Sequence, residues 1–236
     1  MDGGILVAPI APAQWRQLMA IAIVCALFYT LGILHGFYNG PVYRAGPAYF
    51  WLADITRWVV LPVICLSALT RRCRIVPSSY GLVWPSSKRS QDALLIWCVV
   101  AAVLIDAAYY GVAGPLWKHG GFTRPAFTYN ETIPTGVVAH GLVVMYYAAT
   151  AGVVEEVVYR GLMWLGISMI VTPRFAKPAY VLVSSLLFAS IHWANGVPEL
   201  AATFAVGVVA ALLYLRIGNL WPLVIGHTVT DLIDFG

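Results

Sequence analysis

The chain has 236 residues, 61% of them apolar and only 10% charged, with a mean hydropathy of +0.81. A soluble domain carries about a quarter charged residues, so this composition excludes a water-clothed globular fold. The net charge of +4 is small and not laid out as a basic face, which excludes nucleic acid as a partner. Continuously apolar runs exclude a membrane β-barrel, whose strands alternate. What remains is an all-α, polytopic transmembrane helical bundle of seven or eight spans, each taking about 20 residues.

In chain order, the head with Pro9, Pro12 and Arg16 has no cleavable-signal pattern and leads into a span expected to stay. That first span is expected over 18–37, with Trp15 and Arg16 as interface anchors. The second, over 49–70, contains Asp54 and Arg57, three apart on one helix face, which read as a neutralising pair near the interface. Arg71, Arg72, Arg74, Lys88 and Arg89 gather around the loop of residues 71–91. This reads as a cytoplasmic positive cluster, against Arg44 in the loop before it and Lys118 and Arg124 in the loop after. The third span, over 92–117, carries Asp106, expected to face the bundle interior. Cys25, Cys65, Cys73 and Cys98 show no paired spacing and read as small apolar fillers.

From 135 to 171 the chain is apolar except for Gly141, Gly152, Glu155, Glu156 and Arg160. At 1.5 Å per residue this is about 55 Å of helix, against a hydrocarbon core of about 30 Å. It is either one long tilted helix or two crossings kinked near Ala151-Gly152. Further spans are expected over 178–193, 198–215 and 221–235. Residues 1–130 would supply three spans and residues 131–236 a core holding most of the intramembrane polar groups, all within one membrane domain.

Those polar groups carry the functional signal. Glu155, Glu156, Arg160 and Asp231, isolated in lipid, would together cost on the order of 10 kcal/mol. Glu156 and Arg160 are four apart, as are Phe188 and His192, and His227 and Asp231. Four-residue spacing stacks two side chains on one helix face. The midpoint between Glu156 and His192 is residue 174, in a Pro173–Pro178 turn, so a hairpin there would bring the two to one depth. A buried glutamate can take a proton from water and a histidine can relay it, while a donating group can hold an oxyanion. That is the chemistry of a hydrolase without a covalent nucleophile. There is no Gly-x-Ser-x-Gly, His-Glu-x-x-His or Gly-x-Gly-Asp motif to suggest another protease class.

The three pairs lie in longer patterns. Glu155-Glu156-Val-Val-Tyr-Arg160, Phe188-Ala-Ser-Ile-His192 and His227-Thr-Val-Thr-Asp231 resemble the EExxxR, FxxxH and HxxxN/D motifs of the CAAX-protease and bacteriocin-processing family, over residues 135–235. The resemblance implies a glutamate-dependent intramembrane endopeptidase of about eight helices, with a cavity open to the cytosolic side and no cofactor. It implies Glu155 as general base assisted by His192, Glu156 and Arg160 as a buried supporting pair, and His227 with residue 231 as the oxyanion site. Its implied partners are the lipid bilayer and a membrane-associated protein or peptide substrate, such as a prenylated tail or a bacteriocin leader. The setting would be the plasma (inner) membrane of a bacterium or an internal membrane of a eukaryote.

Asp231 stands where better-understood members carry Asn. An ionised Asp only accepts hydrogen bonds, so it would be protonated or orient His227. The set Glu155, His192, His227 and Asp231 also leaves a zinc-dependent protease open. The readings from other classes are a non-catalytic scaffold or bacteriocin-immunity protein, and a proton-coupled carrier. The absence of matched halves speaks against the carrier.

Overall fold

The computed structural model describes residues 11–123 and 125–236. Pro9 and Arg124, used above in reading the head and the third loop, lie outside the described residues. The local sequence sets the helix ends. Pro12 opens α1 (Pro12–Ala45), and Pro47 directly after Gly46 opens α2 (Pro47–Cys73), since proline is tolerated in a first turn where its missing N–H has no partner to lose. The Ser87 hydroxyl accepts from the Ser90 backbone N–H and caps α3 (Lys88–His119). Next come α4 (Val137–Ile170), α5 (Pro173–Ser190), α6 (Val197–Ile217) and α7 (Trp221–Phe235). Gly218, in the left-handed region at φ 66°, ends α6.

Five of these helices, α1, α2, α3, α4 and α6, are long and apolar enough to cross a membrane. The expected seven or eight spans are not all met. Helix α5 has 18 residues and carries Pro173, Arg174, Lys177 and Pro178 at its start. Helix α7 has 15 residues, about 22 Å of rise.

The packing is that of a protein in lipid. Leu95, Ile96 and Val99 on α3 are each about two-thirds exposed, whereas Glu156 and Arg160 on α4 are fully buried. Apolar groups on the outside need a lipid solvent, and the buried charges need one another.

Residues 137–170 form one continuous helix, not two crossings kinked at Ala151-Gly152. Gly152 serves a different purpose: a Cβ there would lie 2.5 Å from Thr228 Oγ1 and 3.0 Å from the Val224 carbonyl oxygen. It lets α4 and α7 touch backbone to backbone. Gly226 does the same on the other side of α7, where a Cβ would come within 2.9 Å of the Ala102 backbone nitrogen on α3. Helix α7 is thus wedged between α3 and α4.

The continuous helix also moves the ends of the later helices. The Leu220 N–H donates to the Gly81 carbonyl (2.8 Å) and Asn219 Nδ2 donates to the Val83 carbonyl (2.7 Å), so the basic loop and the start of α7 share one end of the bundle. Trp193, just beyond α5, donates from Nε1 to the Ile33 carbonyl well along α1 (3.0 Å). The His192 end of α5 lies away from the basic loop, opposite to what two crossings would give.

Candidate active site

Helix α4 widens into a π-helical turn over Glu156–Leu162, on the Glu156–Arg160 segment itself. Such turns are often found at functional sites. Across it stands α7, held close by Gly152 and Gly226. His227 sits six residues into α7, about 9 Å from its start.

Three of the expected site residues gather on that imidazole, and a fourth joins through one of them. His227 Nδ1–H donates to Glu156 Oε1 at 2.9 Å. Its Nε2 faces Glu155 Oε2 at 3.8 Å and Asp231 Oδ1 at 3.7 Å. Arg160 Nε lies 3.3 Å from Glu156 Oε2 and, among the described residues, forms no ion pair with Glu155. The four-residue spacing thus selects the partner. The pairing is a contact of charges without hydrogen-bond geometry: Arg160 Nε, Nη1 and Nη2 are buried with no acceptor among the described residues. The guanidinium instead lies on the Phe188 ring, 4.1 Å from its centre, a cation–π contact that offsets part of its desolvation.

His192 stands apart from this group. It follows the last turn of α5 and donates from Nδ1 to the Phe188 carbonyl (2.8 Å). Among the described residues no hydrogen bond or ion pair joins it to Glu155 or Glu156. Phe188 is the link, its ring centre 5.0 Å from that of His192 and 6.0 Å from that of His227. The four-ligand zinc set therefore does not assemble, and no three His, Cys, Asp or Glu side chains among the described residues group as a metal site.

A narrow cleft opens beside the cluster, lined by Phe28, Arg57, Trp58, Glu155, Tyr159 and Ile191 among others, with interior room for about one water molecule. Two of these residues were not expected at the site. Arg57 is 7% exposed and makes no direct ion pair with Asp54 among the described residues; its charge reaches Asp54 only through space, and Asp54 accepts from the Tyr129 and Tyr146 hydroxyls (3.0 and 2.8 Å). A π-helical turn over Thr56–Val60 rotates Arg57 out of the register that a three-residue spacing assumes, leaving its guanidinium over Trp58 at 4.5 Å. Tyr159 lies inside the first motif, four residues after Glu155 and so on its helix face. That spacing was the signal available for it. For Arg57 the only signal was a charge in an apolar run.

Fold and composition together define an integral membrane protein, all-helical over the described residues, with buried carboxylates, imidazole and guanidinium between its helices. Residues 137–233 match the family described as Rce1-like, type II CAAX prenyl endopeptidase Rce1-like. The match covers all three motifs and bears out the resemblance drawn from them, and it implies a CAAX protease-type membrane endopeptidase, a hydrolase. No curated protein and no solved structure matches the chain.

Proposed function

We propose that the chain is a glutamate-dependent intramembrane endopeptidase. It hydrolyses a peptide bond of a membrane-associated protein or peptide near the membrane face that carries the basic loop 71–91, taken as cytoplasmic. The observation that carries this reading is the placement of His227. One ring nitrogen is held by Glu156 at 2.9 Å while the other faces Glu155 at 3.8 Å.

A carboxylate accepts hydrogen bonds, so the Nδ1 that meets Glu156 carries the hydrogen. In the neutral ring Nε2 is then an acceptor, turned toward Glu155. Glu155, at the cleft, removes a proton from water, and Nε2 of His227 shares it. Glu156, with Arg160 beside it, fixes the tautomer and orientation of His227. The motif resemblance gives the assisting role to His192, whereas the geometry supports His227, since His192 bonds to neither glutamate. Asp231 opposes Nε2 from the other side and orients the ring.

The test is a comparison of protein termini in membranes carrying wild-type chain or Glu155→Ala at equal accumulation. One new terminus should appear with the wild type alone. Identical profiles would overturn the peptidase reading in favour of a non-catalytic scaffold.

A further inference from the structure

Water-based hydrolysis of an amide builds up negative charge on one oxygen. The water oxygen bonds to the carbonyl carbon, its proton passes to Glu155, and the carbonyl π pair moves onto the carbonyl oxygen. Collapse restores C=O, breaks the C–N bond and hands the proton to the departing amine. The intermediate oxygen needs donors, and the unpartnered N–H groups of the motif cluster belong to Arg160, which lies against Glu156 and the Phe188 ring and is not among the residues lining the cleft. Three carboxylates, Glu155, Glu156 and Asp231, already surround one imidazole and one guanidinium. A neutral His227 directs its one N–H to Glu156, and an ionised Asp231 has none to give.

The cleft beside Glu155 has donors of its own. Arg57 Nη1 and the Tyr159 hydroxyl are both buried polar atoms without a hydrogen-bond partner among the described residues, and both residues line that cleft with Glu155. Asp54, the nearest acid in sequence to Arg57, has one oxygen accepting from Tyr129 and the other from Tyr146, so the Arg57 charge acts on it only through space, with no ion pair or hydrogen bond between them among the described residues. Two orphaned donors, one cationic, on residues that line a space of about one water beside Glu155, suit an anion. We propose that Arg57 and Tyr159 bind the oxyanion of the tetrahedral intermediate, in place of the third-motif residue that here is Asp231. This rests on the peptidase reading and completes it with residues from outside the matched segment and from within it.

The experiment measures cleavage of a peptide substrate by the purified full chain in lipid, together with binding of a phosphonopeptide, a stable tetrahedral anion. Arg57→Gln should lower kcat by about 10²–10³-fold, the effect of losing one oxyanion donor, with KM nearly unchanged. Tyr159→Phe should lower it less, and Arg57→Lys should retain more activity than Arg57→Gln. Arg57→Gln should also lose the tight binding of the phosphonopeptide while binding the unreacted peptide normally. Thermal unfolding identifies any variant that fails to fold, and Arg57→Lys, which keeps the charge, then carries the test. A raised KM with kcat intact would make Arg57 a substrate anchor and overturn the assignment, as would phosphonopeptide binding indifferent to Arg57→Gln. A wild type that cleaves no peptide would sink the peptidase reading, while phosphonopeptide affinity would still decide the role of Arg57.

Discussion

The bundle holds two buried polar groups, and they are built on opposite principles. In the first, between α1, α2, the loop before α4, and α4, every oxygen of the acid is satisfied. Asp54 Oδ1 accepts from Tyr129 and Oδ2 from Tyr146, and Tyr129 in turn lies 2.6 Å from His35 Nε2 and 3.4 Å from Asn39 Nδ2. Burial first, and then the charge of Asp54, push the Tyr129 phenol well above its ordinary value, so it remains a donor. In the second, between α4 and α7, the side chain of Arg160 has no hydrogen bond among the described residues and Glu156 Oε2 has none, while the two contacts to His227 Nε2 are long. A satisfied polar network rigidifies a fold, and a half-satisfied one is expensive to keep. The first reads as a latch and the second as machinery.

The sharpest way to break that comparison is Glu155→Gln. A general base contributes about 10²–10⁴-fold, so peptide cleavage should fall by roughly that factor. The melting temperature should barely move, because the amide fits the same space at the edge of the cleft. Cleavage at the wild-type rate would remove Glu155 from the chemistry.

Arg160→Ala probes the same cluster for stability. It leaves Glu156 fully buried without its counter-charge, which should cost about 3–5 kcal/mol and greatly reduce accumulation. The same melting temperature and yield as wild type would mean that Glu156 is neutral in the folded chain.

The two groups also differed in how far the sequence revealed them. Glu156–Arg160 and His227–Asp231 follow from a spacing of four along single helices, and Pro173 marked the break before α5, although residues 173–178, read as a turn, already belong to that helix. His192 was placed at the depth of Glu156 by hairpin arithmetic, but α5 ends at Ser190, so His192 falls beyond the helix and its ring turns onto Phe188. The latch was not legible. Tyr129 and Tyr146 lie 75 and 92 residues from Asp54, and no periodicity links residues that far apart. The two π-helical turns, over Thr56–Val60 and Glu156–Leu162, leave no mark in composition. Without the first, Asp54 and Arg57 read as a pair. Five helices meet the length and apolarity of a crossing, and α7, at 15 residues, does not, although its sequence run reads as apolar.

Tyr146→Phe sharpens the other side. Removing that hydroxyl leaves Asp54 Oδ2 buried without its donor, which should cost about 1–3 kcal/mol of stability, read by thermal unfolding in detergent. The kcat of the folded fraction should be unchanged, because the latch touches neither Glu155 nor His227. A kcat loss exceeding that in Glu155→Gln would show the two networks to be one.

Asp231→Asn should have the smallest effect and gives the finest discrimination. Asp231 Oδ1 stands 3.7 Å from His227 Nε2, beyond a direct hydrogen bond, so its influence on the ring is chiefly that of its charge and position. The substitution removes one of three carboxylates crowding a single imidazole and supplies an amide, which can both accept and donate. Activity should therefore be kept or raised by up to a few-fold, and the gain should be larger in an Arg57→Gln background, where a new donor near the intermediate matters more. A zinc ligand would behave oppositely, since exchanging a charged oxygen donor for an amide weakens the metal and lowers activity. Lower activity in Asp231→Asn, together with chelator inhibition of the wild type reversed by added zinc, would replace glutamate chemistry with metal chemistry at this site. Equal or higher activity, insensitive to chelator, would leave Asp231 as the residue that orients His227.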